Sequence, residues 1–224
     1  MDLSNIHFMN LNDTFTFTCT HCGACCRNRE DILLNGYDIW KMGHFLDKTQ
    51  LKIIEEYAEV YIGNDSKLPL VRLLPRGKNK ICPFLSYGKC KIHEVKPAVC
   101  ALYPLGRVYS ENTDEPKYIL QDVKCGSNKT YTVNEWLIHS GINEQSNKCA
   151  KLWGQLLMDL YPFVHGIQQF SSETKDMIYN ALIYKMYLDY RYNGDFHAQL
   201  VERTMELEQI CKKFNILYKK YYGN

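Results

Sequence analysis

Four cysteines fall within eight residues near the start of the chain, in the run Cys19-Thr-His-Cys22-Gly-Ala-Cys25-Cys26. Four more follow at wider spacing: Cys82, Cys90, Cys100 and Cys125. Thiolates are soft anionic donors, and a metal site needs several of them to converge. A Cys-x-x-Cys turn can place two sulfurs on one centre, after which the chain must return to supply the rest. The two sets are therefore expected to close together around metal. Eight thiols complete two four-thiolate sites, or one site with spare ligands. Neighbouring side chains tend to diverge, so Cys25 and Cys26 are expected to reach different centres.

The dense first set and the Cys82-Pro83 step suit an iron–sulfur cluster. Zinc, which favours paired Cys-x-x-Cys knuckles, is the alternative, and iron without sulfide is a third. His21 and His93 lie beside the cysteines, but backbone hydrogen bonding is the expected role of each. Cys149 and Cys211 sit in helical sequence and read as small apolar residues. Arg107 and Lys124 flank the metal segments as candidate anion binders, with surface solvation the plainer role.

Several elements must hold these residues. Phe15 and Phe17 alternate with threonines, which predicts a short strand running into Cys19. Asn35, with Asp38 three residues on, predicts a capping box for a helix through Phe45. Thr49 caps a second helix, with Leu51, Ile54, Tyr57, Ala58 and Tyr61 at helical spacing, stopped by Gly63-Asn64-Asp65. Leu70–Leu74 reads as a strand. A small hairpin should carry Cys82 and Cys90 near its ends, turning at Tyr87-Gly88-Lys89. Pro97 opens a short helix bearing Cys100, which Pro104 stops. Val108-Tyr109 is expected to pair with Tyr118–Leu120.

Beyond Cys125 the texture is helical. Thr132 and Glu135 form a capping box ahead of Trp136, and Gly141 ends that helix. Trp153, Leu156, Leu157 and Leu160 mark the next helix, which Pro162 should stop. Met177, Ala181, Tyr184 and Leu188 predict the apolar face of a third. Asp195 caps the last, with Leu200, Leu207, Ile210, Phe214, Leu217 and Tyr221 along one face. The expected fold is mainly α (α+β with a few short strands). Residues 1–130 form a cysteine-rich metal-binding core, and residues 131–224 a helical extension packed on it as one structural domain.

The 224 residues suffice to bury a core without staples. Net charge is only +2, which gives no case for nucleic acid or an anionic membrane. No apolar run approaches a bilayer span, and no export signal is evident, so the expected compartment is the cytoplasm. There clustered cysteines bind metal more often than they form disulfides. No phosphate-binding, dinucleotide-binding or nucleophile-elbow motif is present. No catalytic residue can be named.

Cys19-x-x-Cys22-Gly-Ala-Cys25-Cys26, Cys82-Pro83-Phe84-Leu85 and the run Cys90-Lys-Ile-His-Glu-Val-Lys-Pro97-Ala-Val-Cys100-Ala-Leu-Tyr103-Pro104 resemble the CxxCxxCC cysteine-cluster family. This YkgJ-type group is described as a zinc- or iron-chelating domain. Lys96 and Ala101 stand where that family often has arginine. The family includes flagellin lysine N-methylases, generally longer than this chain. The resemblance thus implies metal binding by all eight cysteines. It adds S-adenosylmethionine and flagellin as a candidate cofactor and partner. Three functions are expected: an iron–sulfur protein of oxidoreductase type, a protein lysine methyltransferase, or a non-catalytic structural zinc module that binds a partner.

Overall fold

A computed structural model describes residues 7–20, 22–110, 113–122 and 126–222. Among the described residues 50% are helical and 21% are in strands, the mainly α composition with short strands that the sequence predicts. The chain divides into two compact units, residues 1–34 with 72–147 and residues 35–71 with 148–224.

In the first unit, Thr14–Thr18 is a strand with Phe15 and Phe17 buried and the threonines on the other face. It pairs antiparallel with Gly126–Thr132, and Tyr131 stands opposite Phe15. A second sheet places Thr113–Leu120 between Phe8–Met9 and Leu105–Ser110. Arg107 lies opposite Tyr118 and Val108 opposite Lys117, so the expected pairing of these segments is present. The helix Val133–His139 starts at the Thr132–Glu135 capping box, with backbone-to-side-chain bonds of 3.1 and 2.8 Å. It ends in a Schellman arrangement, where the amides of Gly141 and Ile142 donate to the carbonyls of Ile138 and Leu137.

Trp136 is the centre of this unit's core. Its ring meets Phe17 edge-on at 5.2 Å and Phe15 at 5.9 Å. Its indole N–H donates to the Leu102 carbonyl at 2.9 Å. Leu102, Leu105, Tyr118, Val133 and Leu137 complete the cluster. The same core therefore fixes the strand that leads to Cys19 and the helix Ala98–Leu102 that bears Cys100.

In the second unit, the helix Gly36–Leu46 begins at the predicted Asn35–Asp38 capping box. Thr49 caps Gln50–Tyr57 as expected. That helix stops at Tyr57, however, and Ala58–Ile62 is a strand. Helical spacing through Ala58 and Tyr61 was outweighed by a β-favouring run that can pair with Pro69–Leu73 around a turn closed by Gly63 N–H donating to Leu68 O at 2.9 Å. Pro162 does not stop its helix, which runs Glu144–Gly166. Proline removes one backbone donor, but Leu156, Leu160, Phe163 and Val164 are all buried along the same helix, and that burial outweighs the lost bond.

The face expected of Met177 and Tyr184 is also revised, since both are exposed. Tyr179 and Leu182 face inward instead, followed by Met186 and Tyr187 in a π-helical turn, Tyr184–Leu188, that alters the register of the helix Ser172–Ile183. Tyr187 donates to Pro69 O at 3.2 Å and Tyr179 to Lys67 O at 2.9 Å. Asp195 caps Phe196–Tyr222 by accepting from Ala198 N–H at 2.7 Å. Leu200 and Leu207 are buried on that helix, whereas Ile210 is exposed. The side chains of Leu217 and Tyr221 lie outside the described residues. No helix among the described residues is long and apolar enough to cross a membrane.

Candidate metal centre

Gly23 opens the site. It adopts φ +70°, a conformation that side-chain-bearing residues rarely take, and leads into the tight 3₁₀ turn Ala24–Cys26. The turn is closed by Cys26 N–H donating to Gly23 O at 3.0 Å. A Cβ on Gly23 would stand 2.8 Å from an Arg27 guanidinium nitrogen, which itself donates to Cys22 O. Gly23→Ala is expected to destabilise the protein by about 1 kcal/mol and to weaken metal retention. Thermal melting with and without a chelator checks this.

The turn brings Cys25 and Cys26 together rather than apart. Their sulfurs are 3.8 Å apart, so the divergence expected of neighbours does not occur in this geometry. Cys26 is also tied to the second cysteine set, because its carbonyl accepts from Cys82 N–H at 2.8 Å. The Cys26 thiol interacts with those of Cys25 and Cys82, which lowers Cys25 to about 6 and Cys82 to about 7 and holds Cys26 itself far above the ordinary thiol range, first through Cys25.

Cys82 and Cys90 each sit in a knuckle of backbone donors. The amides of Phe84 and Leu85 point at the Cys82 sulfur, and the Ile92 amide at Cys90. Pro83 shapes the first knuckle without competing as a donor. Between the two, Leu85 pairs with Cys90 and Ser86 with Lys89 in the predicted hairpin. Its tip, Tyr87-Gly88, has positive φ at both residues, as a type I′ turn requires. Burial raises Cys90, against the pull of the Ile92 amide.

Cys100 lies on the expected short helix, with the charge of Arg29 acting on it. Arg29 makes two bonds to Asp31, at 2.5 and 2.8 Å, and stands 6.0 Å from the Tyr103 ring. Arg29 and Lys96 supply positive charge to Cys25. Sequence reasoning passed over both arginines after the Cys25-Cys26 pair, though two cations within three residues of it were a visible signal. Arg107 is engaged elsewhere, donating to Asn147 at 3.0 Å and lying against Tyr118.

Cys19 and Cys22 are exposed. Cys125, Lys124 and His21 lie outside the described residues. His93 is exposed in a 3₁₀ turn after Cys90. Cys149 is buried in the second unit, where burial pushes it up to about 12, and burial raises Cys211 to about 11. The nine described cysteines form no disulfide.

Two thiolates on one tetrahedral ion, at about 2.3 Å each, stand about 3.8 Å apart. The Cys25–Cys26 separation matches that edge. Among the described residues no three His, Cys, Asp or Glu side chains already form a complete ligating group. The Cys25–Cys26 pair alone has the spacing for one ion.

Residues 18–126 match the model of the family CxxCxxCC, described as "Putative zinc- or iron-chelating domain". No curated protein and no solved structure matches this chain.

Proposed function

We propose, on the premise that residues 18–126 belong to the CxxCxxCC family of metal-chelating domains, that this protein uses its thiols to hold iron as an iron–sulfur centre with a redox role. The supporting observation is where the thiols lie. Cys25, Cys26, Cys82, Cys90 and Cys100 are only partly buried, and Cys19 and Cys22 are exposed. Their unit also has its own aromatic core around Trp136. A fold with such a core does not need metal merely to stay folded. A centre near the surface suits exchange of electrons with a partner in a reducing compartment. The backbone donors at Cys82 and Cys90 would set the potential by stabilising sulfur charge.

The pair spacing narrows the type of centre. In a four-iron cubane each iron takes one cysteine. A two-iron cluster, or a single iron, gives one metal two cysteines. Cys25 and Cys26 at 3.8 Å suit the second case. The same spacing, with the two knuckles, favours a second reading: one tetrahedral zinc in a non-catalytic interaction module. S-adenosylmethionine-dependent methylation of flagellin lysines rests on family resemblance alone.

Metal and acid-labile sulfide assays on anaerobically purified protein, with its visible spectrum, separate these readings. Iron with equimolar sulfide and a broad visible absorbance is expected. Zinc without a chromophore would overturn the redox reading in favour of the module. A calorimetric titration with S-adenosylmethionine is expected to show no heat of binding.

A further inference from the structure

The second cysteine segment has an uneven charge. From Arg72 to Lys96 it holds seven lysines or arginines and a single acid, Glu94. That is +6 in 25 residues, against +2 for the whole chain. The rest of the molecule is therefore net acidic. Part of this basic charge is used locally. Lys96 acts on Cys25 and Cys90, Arg72 donates to Glu30 O, and Lys80 pairs with the Glu30 carboxylate.

Four cations are left over. Arg76, Lys78, Lys89 and Lys91 are exposed, and among the described residues no carboxylate pairs with them. They lie on two consecutive turns on either side of Cys82. The first turn is closed by the Arg76–Ile81 bridge and the second is the Leu85–Cys90 hairpin. Lys89 pairs with Ser86 in the hairpin, and Lys91 follows Cys90 in a turn, its amide donating to Phe84 O at 2.9 Å. Tyr87 is fully exposed at the hairpin tip.

We propose that this basic segment, with Arg76, Lys78, Lys89 and Lys91 exposed on its two turns and Tyr87 at a tip, is a docking surface for an acidic protein segment. Unpaired cations in a low-salt field draw an acidic partner in and orient it. A projecting tyrosine supplies rigid amphipathic contact area at small entropic cost, and tyrosine is enriched in interfaces for that reason. The acidic remainder of the chain would repel a long polyanion while leaving room for a compact acidic partner. The proposal does not depend on which metal the thiols hold.

The test uses the full chain as purified with its metal, and a fluorescein-labelled oligoglutamate as the probe in an anisotropy titration. Binding at low salt is expected, weakening steeply as salt rises. Charge reversal by K78E, K89E and K91E together is expected to weaken it more than tenfold, and Tyr87→Ala several-fold. The equal reversal K52E, K151E and K212E in the other unit should leave it unchanged. Thermal melts confirm that each variant is folded. Absence of binding, or equal loss in both triple variants, would overturn the proposal. Tighter binding of an oligothymidylate of matched charge would also overturn it, in favour of nucleic acid.

Discussion

Cys26→Ser is expected to lower the metal bound per chain more than tenfold, with affinity falling by roughly 100-fold or more. Cys26 is the residue whose sulfur stands 3.8 Å from Cys25 and whose carbonyl accepts from Cys82 N–H. Serine offers a hard, neutral oxygen in place of a soft thiolate, a poor exchange for zinc or iron. Loss of a supporting contact alone typically costs 10–100-fold in metal affinity, so loss of a direct ligand should cost at least the upper end of that range. The variant should still fold. Its backbone carbonyl can still accept from Cys82 N–H, and the core around Trp136 is untouched. Elemental analysis after gel filtration reads the loss. Cys211→Ser, in the other unit, should keep full metal content. A Cys26→Ser protein with wild-type metal would show that this sulfur is not a ligand.

Trp136→Ala is expected to have the largest effect on stability, about 4 kcal/mol. The indole is buried, meets Phe15 and Phe17 edge-on, and donates to Leu102 O. Alanine leaves a large cavity and orphans that carbonyl. For a chain of this size the melting temperature should drop by roughly 10 °C. Because Leu102 follows Cys100 on the same short helix, the variant should also release metal to a chelator faster. Trp136→Phe keeps most of the packing and loses the hydrogen bond, so about 1–2 kcal/mol is expected. Equal melting temperatures for the alanine variant and the wild type would contradict the core described here.

Local signals were the legible ones. The two capping boxes, at Asn35–Asp38 and Thr132–Glu135, are encoded within four residues each and form as written. The alternation of Phe15 and Phe17 needs only a period of two. The hairpin at Tyr87-Gly88 follows from turn chemistry. What sequence could not reveal depends on distant partners. Ala58–Ile62 becomes a strand because Pro69–Leu73 is there to pair with it. Pro162 stays within its helix because Phe163 and Val164 are buried just beyond it. The π turn at Tyr184–Leu188 has no local signature, and it decides which side chains face inward.

The candidate site divides in the same way. The cysteine types and spacing pointed to metal without any structure. The convergence of Cys25 with Cys26 depends on the 3₁₀ turn after Gly23, which a rule about neighbouring side chains does not anticipate. The tie to Cys82 is a backbone bond between segments more than fifty residues apart, and no spacing encodes it.

The most direct test of the thiolate centre is X-ray absorption at the metal edge of the purified protein. Four sulfur neighbours per metal at about 2.3 Å are expected, with Cys26→Ser losing sulfur scattering. A first shell of nitrogen and oxygen at about 2.0–2.1 Å, unchanged in the Cys26→Ser protein, would contradict that expectation.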